Sequence, residues 1–224
     1  MSGNEAKSND FADARERMVD VQIAGRGIVD ARVLAAMRAT PRHIFIPEHL
    51  RHAAYQDGPL LIGSGQTISQ PYIVALMTEL LNLKGSERVL EIGVGSGYQT
   101  AILAGLSREV IGLERIPELA EAAKARLAAL GYANVTVLVG DGSAGYVEGA
   151  PYDAILVAAA APRVPEPLLM QMAEGGRLVL PVGNNFEQLL ERIERRGGTL
   201  HHERSIPVRF VPLVGQYGFS SGWR

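Results

Sequence analysis

The chain has 224 residues, of which 47% are hydrophobic and 21% charged, with a formal net charge of −2 and no cysteine. That balance fits a folded protein built around one large core and excludes a disordered chain. It also excludes a broad basic field for nucleic acid, disulfide staples, a thiolate nucleophile and Cys-ligated zinc.

Residues 1–10 are polar and read as a frayed tail without the apolar core of a signal peptide, and helical patterning starts at Phe11. Met18, Val19, Ile23 and Ile28 lead to Asp30, which is placed to N-cap a second helix carrying Val33, Leu34 and Met37. Pro41 ends that helix. His49 and His52 could share a helical face, but no third and fourth ligand stands at supporting spacing, so a metal site is not expected. His201 and His202 read as a solvated pair.

Tyr55 to Pro71 is a long loop rich in Gly and polar groups, the composition of a functional loop. Ser69 at its end is expected to N-cap a helix from Gln70 to Leu81, with Pro71 in the first turn, a role compatible with a second one in a site.

Val89, Leu90 and Ile92 then form a short buried strand, followed by Gly93, Gly95 and Gly97 opening into a helix from Gln99 to Leu106. Glycine lets the backbone approach a ligand, and the first N–H groups of the following helix are unpaired, so a strand, a Gly turn and a helix start make a cradle. A dinucleotide fingerprint needs its third Gly at position 98, where Tyr98 stands. The G-x-G-x-G spacing, preceded by Glu91, resembles instead the nucleoside-binding turn of class I S-adenosylmethionine-dependent methyltransferases.

Short strands and amphipathic helices alternate from there. Strands are expected at Val110–Glu114, Val135–Val139, Tyr152–Val157 and Arg177–Val182, with helices at Pro117–Leu130 and Pro165–Ala173. Gln188–Arg195 and Thr199–Arg204 flank Gly197-Gly198 as a hairpin, and Val208–Leu213 reads as a last extended segment. The implied fold is α/β, Rossmann-like, with a mostly parallel sheet covered by helices on both faces and closed by an antiparallel hairpin.

In such sheets ligands bind beyond the carboxyl ends of the strands. Three acids fall there. Glu91 closes the first strand, Glu114 ends the second, and Asp141 follows the third within Gly140-Asp141-Gly142. Glu114 lies 17 residues after Gly97, close to the roughly 20 expected of an acid accepting from ribose hydroxyls. Two readings stand for Asp141: acceptor of an adenine amino group, or cap of the turn that follows.

The chain resembles the protein-L-isoaspartate O-methyltransferase family from Met18 to Gly215. The likeness rests on Arg26–Asp30, Pro41-Arg42-His43, Ile62–Pro71, Leu90–Tyr98, Gly140–Gly142, Gly175–Arg177 and Val208–Pro212. Gly65-Gln66-Thr67-Ile68-Ser69 is its most specific part, since methyltransferases in general share the Gly turn and lack this loop. The resemblance implies that Ser69 is the active-site serine. It implies that Glu91, Gly93, Gly95, Gly97, Glu114, Asp141 and Gly142 serve S-adenosylmethionine, and that Thr67, Ile68, Val208, Arg209 and Phe210 line the peptide groove.

On that basis 1–10 is a disordered tail and 11–224 a single methyltransferase domain. Residues 11–82 form a helical extension with the substrate loop, 83–183 the nucleoside-binding core, and 184–224 the hairpin and last strand. Isoaspartyl peptides and proteins are the expected partners, with no nucleic acid and no membrane, for a monomeric cytoplasmic enzyme. Ala158, where the family often has Thr or Gly, and Ala144 are departures expected to bear on peptide preference and not to abolish activity.

Methyl transfer to a carboxylate needs no strong base, because a free carboxyl with pKa about 4 is already ionised at neutral pH. Alignment and exclusion of water are the work required, which small residues, backbone donors and hydroxyls can do. No His and Asp are arranged around Ser69 as a nucleophile would need. The alternatives are a class I methyltransferase of another acceptor and a non-catalytic nucleoside-binding module on the same fold.

Overall fold

A computed structural model describes residues 2–220, with side chains from 10 onward. The expected tail and last segment therefore extend at residue 1 and at 221–224 outside the described residues. Helix α1 (Ser2–Arg17) takes in most of the stretch read as a tail. Its first half offers helix formers such as Glu5, Ala6 and Lys7 but no apolar period by which the sequence would betray a helix. A wider helical turn, Met18–Ile23, follows and buries Met18, Val19 and Ile23.

Asp30 caps α2 (Ala31–Ala39) as its position suggests, its carboxylate accepting from the N–H groups of Arg32 and Val33. The helix stops before Pro41, which disfavours helical geometry in the residue preceding it. The long loop contains a small hairpin, β1 (Leu60–Gly63) and β2 (Gln66–Ile68), before α3 (Pro71–Leu81).

The main sheet has seven strands. In chain order they are β3 (Arg88–Ile92), β4 (Glu109–Glu114), β5 (Val135–Val139), β6 (Tyr152–Val157), β7 (Met172–Gly183), β8 (Gln188–Arg196) and β9 (Thr199–Pro207). Helices α4 (Tyr98–Ala104), α5 (Pro117–Ala129) and α6 (Glu166–Met170) connect them. The spatial order is β5-β4-β3-β6-β7-β8-β9, parallel from β5 through β7 and antiparallel across β7, β8 and β9. Succession runs outward from β3 to β5 and then, from β6 on, in the opposite direction. The switch point therefore lies between β3 and β6, where an open α/β sheet leaves a crevice.

Alternation along β3 sends Val89 into the core under α3, α4 and α5, and sends Leu90 and Ile92 into the core on the other face. Glu91 points with Val89 toward α4 and is fully buried.

Helix α6 and strand β7 also differ from the sequence reading. Helix α6 is shorter than 165–173, because Gln171 is drawn into the sheet: its carbonyl accepts from Tyr152 N–H at 2.9 Å, and its side chain bonds Tyr146 N–H and Ala144 C=O. Strand β7 accordingly begins at Met172 and not at Arg177. The segment 208–213 is extended but forms no ladder with the sheet: it makes one bridge, Ala160 to Pro212, and one backbone bond from Val208 N–H to Gln188 C=O in β8. Pro207 and Pro212 have no N–H to give a ladder. Among the described residues no helix is long and apolar enough to cross a membrane.

Candidate active site

The Gly turn sits at the switch point. Gly93 has φ +86°, and a Cβ there would lie 3.7 Å from Ala158, which follows β6. Ala158 N–H donates to Ile92 C=O at 2.8 Å, so the two strand ends are tied side by side. Gly97 is at φ +87°, and its bare Cα lets α5 pack close, with Leu127 and Ala123 at 3.3 and 3.4 Å from where a Cβ would stand.

Glu114 is buried at the end of β4. One carboxylate oxygen accepts from Gly95 N–H and the other from Ile116 N–H, each at 2.9 Å. A single side chain thus joins the Gly turn to the next strand's exit. Each oxygen keeps a lone pair for a further donor.

Below the turn, Glu91 has neither oxygen hydrogen-bonded, and burial pushes its carboxyl up to about 8. The nearby Thr100 hydroxyl offsets part of that without forming a full hydrogen bond, and the Glu114 charge adds to it. Glu91 is therefore a neutral, buried acid at pH 7 and does not reach the cavity wall.

Asp141 is the cap of the turn 142–144. Its carboxylate accepts from Ser143 N–H at 2.9 Å, the Ser143 hydroxyl at 2.7 Å and Gln216 N–H at 2.7 Å. Burial alone would raise its pKa, but these donors outweigh it and hold the carboxyl below the ordinary range.

Two cavities meet here. The first encloses about 710 Å³ with its open mouth and is walled by Gly93, Gly95, Glu114 and Gly142 on the sheet side, closed over by 211–214. The second, about 950 Å³, is walled by Ser69, Gln70, Val208, Arg209 and Phe210. Thr67, Ala158 and Val211 belong to both. A smaller space between them touches Ile68, Ser69 and Gly95. Of the residues expected in a site, Glu91, Gly97, Asp141 and Ile68 line neither of these two cavities: Glu91 and Gly97 are buried behind the wall, Ile68 borders the smaller space, and Asp141 is exposed at the turn that carries Gly142.

Ser69 does not cap α3. Gln70 is the N-cap and makes no side-chain cap bond, so Ser69 stands one residue too early for its hydroxyl to serve the first turn. Its carbonyl accepts from the Arg42 guanidinium at 2.8 Å. Segment 208–210 is held from behind by Gln188, whose backbone C=O accepts from Val208 N–H and whose side-chain amide oxygen accepts from Phe210 N–H at 2.7 Å.

The sequence reading missed the lid over the first cavity, residues 211–214, and the wall residues Leu113, Arg115 and Ile116. The last three lie within two residues of Glu114, and the rule that ligands sit beyond strand ends could have included them. Nothing local marks 211–214 as a lid, since the segment is brought to the cavity by two backbone bonds with the distant Ala160.

This arrangement can seat a nucleoside on backbone groups and one carboxylate, beside a groove able to take an extended chain. Among the described residues no group of His, Cys, Asp and Glu could hold a metal.

Comparison with known proteins gives one family. A family model described as Protein-L-isoaspartate(D-aspartate) O-methyltransferase matches residues 13–218. A protein-L-isoaspartate O-methyltransferase of Methanoregula boonei is 57% identical over 210 residues, covering 94% of this chain and 97% of that one. A solved structure of a protein-L-isoaspartate O-methyltransferase aligns with a TM-score of 0.81 at 30% identity, over 91% of this chain and 67% of the other. A Plasmodium falciparum chain of the same description, in complex with S-adenosyl-L-homocysteine, aligns with a TM-score of 0.78 at 29% identity, over 89% and 98%.

Proposed function

This chain belongs to the protein-L-isoaspartate(D-aspartate) O-methyltransferase family, and on that premise we propose how its residues divide the family's reaction between them. It is a repair enzyme that methylates the free α-carboxylate of L-isoaspartyl residues in damaged proteins and peptides, with S-adenosylmethionine as donor. The observation that carries the assignment of roles is the pair of cavities sharing Thr67, Ala158 and Val211.

The donor belongs in the first cavity. Gly93 and Gly95 suit close approach of a nucleoside, Glu114 suits a ribose diol because a carboxylate only accepts and each hydroxyl can donate, and Gly142 lies at the far wall. Asp141 fixes the turn that carries Gly142 and keeps a lone pair for the adenine amino group, so its two readings are compatible. Gly97 and Glu91 act from behind, the first by letting α5 close on the turn and the second as a neutral strut. When bound, the donor supplies an electrophilic methyl group on sulfonium sulfur, which leaves as a neutral thioether while the carboxylate oxygen gains the methyl.

The acceptor lies in the second cavity, its chain extended along Val208, Arg209 and Phe210, with Thr67 and Ile68 at the junction. The Ser69 hydroxyl donates to the carboxylate and orients it without becoming a nucleophile. Succinimide opening at Asn or Asp diverts the main chain through the side-chain carbonyl and leaves the former backbone carboxyl on a branch one methylene shorter than an Asp side chain. A groove that fixes the flanking backbone puts that short branch at the junction and an ordinary Asp carboxylate elsewhere. A misplacement of about 1 Å can cost about a hundredfold in rate, so geometry alone rejects undamaged peptides. One chain forms both cavities, which supports a monomer as the working unit, and the cysteine-free sequence supports a reducing cytoplasm.

Two synthetic peptides differing only in Asp or isoAsp, each incubated with S-adenosylmethionine while methyl ester and S-adenosylhomocysteine are followed, test this division. Ester is expected from the isoAsp peptide alone. Equal labelling of both would remove the role given to the groove.

A further inference from the structure

Arg42 has no exposed surface and lies behind the loop that carries Ser69. Its Nε donates to Ala54 C=O at 2.9 Å and its Nη2 to Ser69 C=O at 2.8 Å, while Nη1 is buried without a partner. Its guanidinium carbon stands 4.9 Å from the centre of the Tyr98 ring, the first residue of α4 after the Gly turn. Burial lowers its pKa to about 10, offset in part by Tyr98 and Tyr55, so it stays charged at neutral pH.

Among the described residues no carboxylate acts on this buried cation. Keeping an ion buried without a counter-ion is costly, and an apolar side chain of like size would fill the same space more cheaply. The two carbonyls it does hold mark the two ends of one loop: Ala54 stands just before Tyr55, and Ser69 closes the stretch. A planar fork pins two such carbonyls along fixed vectors, whereas a lysine brings all its donors on one freely rotating nitrogen.

We propose that Arg42 is a positioning residue for the methyl transfer: it clamps the neck of the 55–70 loop and sets the plane of the Ser69–Gln70 peptide unit against the Gly turn. That unit is trans, so fixing the Ser69 carbonyl toward Arg42 directs the Gln70 N–H to the opposite side. Both Ser69 and Gln70 line the acceptor cavity, and the N-terminus of α3 has no side-chain cap to hold it otherwise. The ring contact to Tyr98 ties the same guanidinium to the donor side. The inference rests on the reading of Ser69 given above and adds what holds that residue in register.

The test compares Arg42→Lys, which keeps charge and bulk but loses the fork, with Arg42→Ala, Ser69→Ala and the Arg42→Lys/Ser69→Ala double variant. Turnover of an isoaspartyl peptide, calorimetric binding of S-adenosylhomocysteine and thermal melting are measured on each. Arg42→Lys is expected to lose about 10- to 100-fold in kcat, since sub-ångström displacement of aligned groups is that costly, with cofactor affinity within about threefold of wild type. The double variant should be no more than about threefold slower than the slower single variant, because both changes strike one device. Methylguanidinium should restore part of the turnover of Arg42→Ala; if that variant does not fold, Arg42→Lys and the double variant decide alone. Wild-type kcat in Arg42→Lys beside an impaired Ser69→Ala would overturn the clamp and leave the Ser69 reading standing. Normal turnover of Ser69→Ala with Arg42→Lys still impaired would remove the hydroxyl from the site and keep the clamp on the peptide unit. Losses that multiply in the double variant, or that follow cofactor affinity one for one, would reduce Arg42 to a structural residue.

Discussion

The two halves of the active cavity are built by different means. The sheet side of the donor half comes from consecutive strand ends between Gly93 and Gly142, with the Glu114 carboxylate joining the Gly turn to the exit of β4. The acceptor half joins the 59–73 stretch to residues 207–211, far along the chain, and leans on Gln188 and Arg42 from behind. A ligand seat on a sheet edge inherits the rigidity of the sheet, whereas one on a loop needs separate struts. Damage to each half should therefore register in a different measurement.

The largest effect is expected where the halves touch. Ala158 lines both cavities, so Ala158→Leu puts three more carbons at the junction between donor and acceptor. Turnover should fall by about a hundredfold, the scale of an ångström of misalignment, while S-adenosylhomocysteine binds within about tenfold of wild type. Steady-state kinetics with calorimetry would show it, and parallel losses in both would mean that the junction is merely part of the donor seat.

A smaller effect separates the struts. The Glu91 carboxyl has a folded pKa of about 8 against an ordinary 4.5. The folded state thus holds a proton that the unfolded chain releases, and stability present below pH 4.5 drains away as pH rises through 8. Glu91→Gln removes that slope. Its melting temperature should gain on wild type from pH 5 to 8.5, by about 2 to 4 °C per kcal/mol at this chain length. A constant difference across that range would show that Glu91 does not titrate there.

The smallest effect concerns Ser69. A helix cap would cost Ser69→Ala about 1 kcal/mol, but the hydroxyl caps nothing, so melting should stay within about 0.5 kcal/mol of wild type.

What the sequence disclosed follows the same divide. Asp30 as a cap, the Gly turn and the strand boundaries 135–139 and 152–157 rest on signals within a few residues, and the structure has them in place. Ser69 as a cap failed because a Ser before Pro in a helix start looks the same one position earlier or later. Arg42 stood in the Pro41-Arg42-His43 motif but with no role legible there: its partners lie 12 and 27 residues away, and only folding brings their carbonyls to it. The lid at 211–214 was hidden for the same reason, being tied to the site through Ala160. The part of helix α1 before Phe11 escaped because its polar sequence has no apolar period to read.

The most direct test of two separable halves is a crossed measurement on Glu114→Ala and Ser69→Ala, each assayed for S-adenosylhomocysteine affinity by calorimetry and for isoaspartyl-peptide turnover at saturating donor. Glu114→Ala should weaken cofactor binding by about 10- to 150-fold, the cost of losing a charged hydrogen-bonding partner worth about 1.5 to 3 kcal/mol. Its turnover at saturation should stay within about threefold. Ser69→Ala should do the reverse, leaving affinity unchanged while turnover drops at least tenfold. Variants that lose affinity and turnover in the same proportion would contradict the division of the cavity.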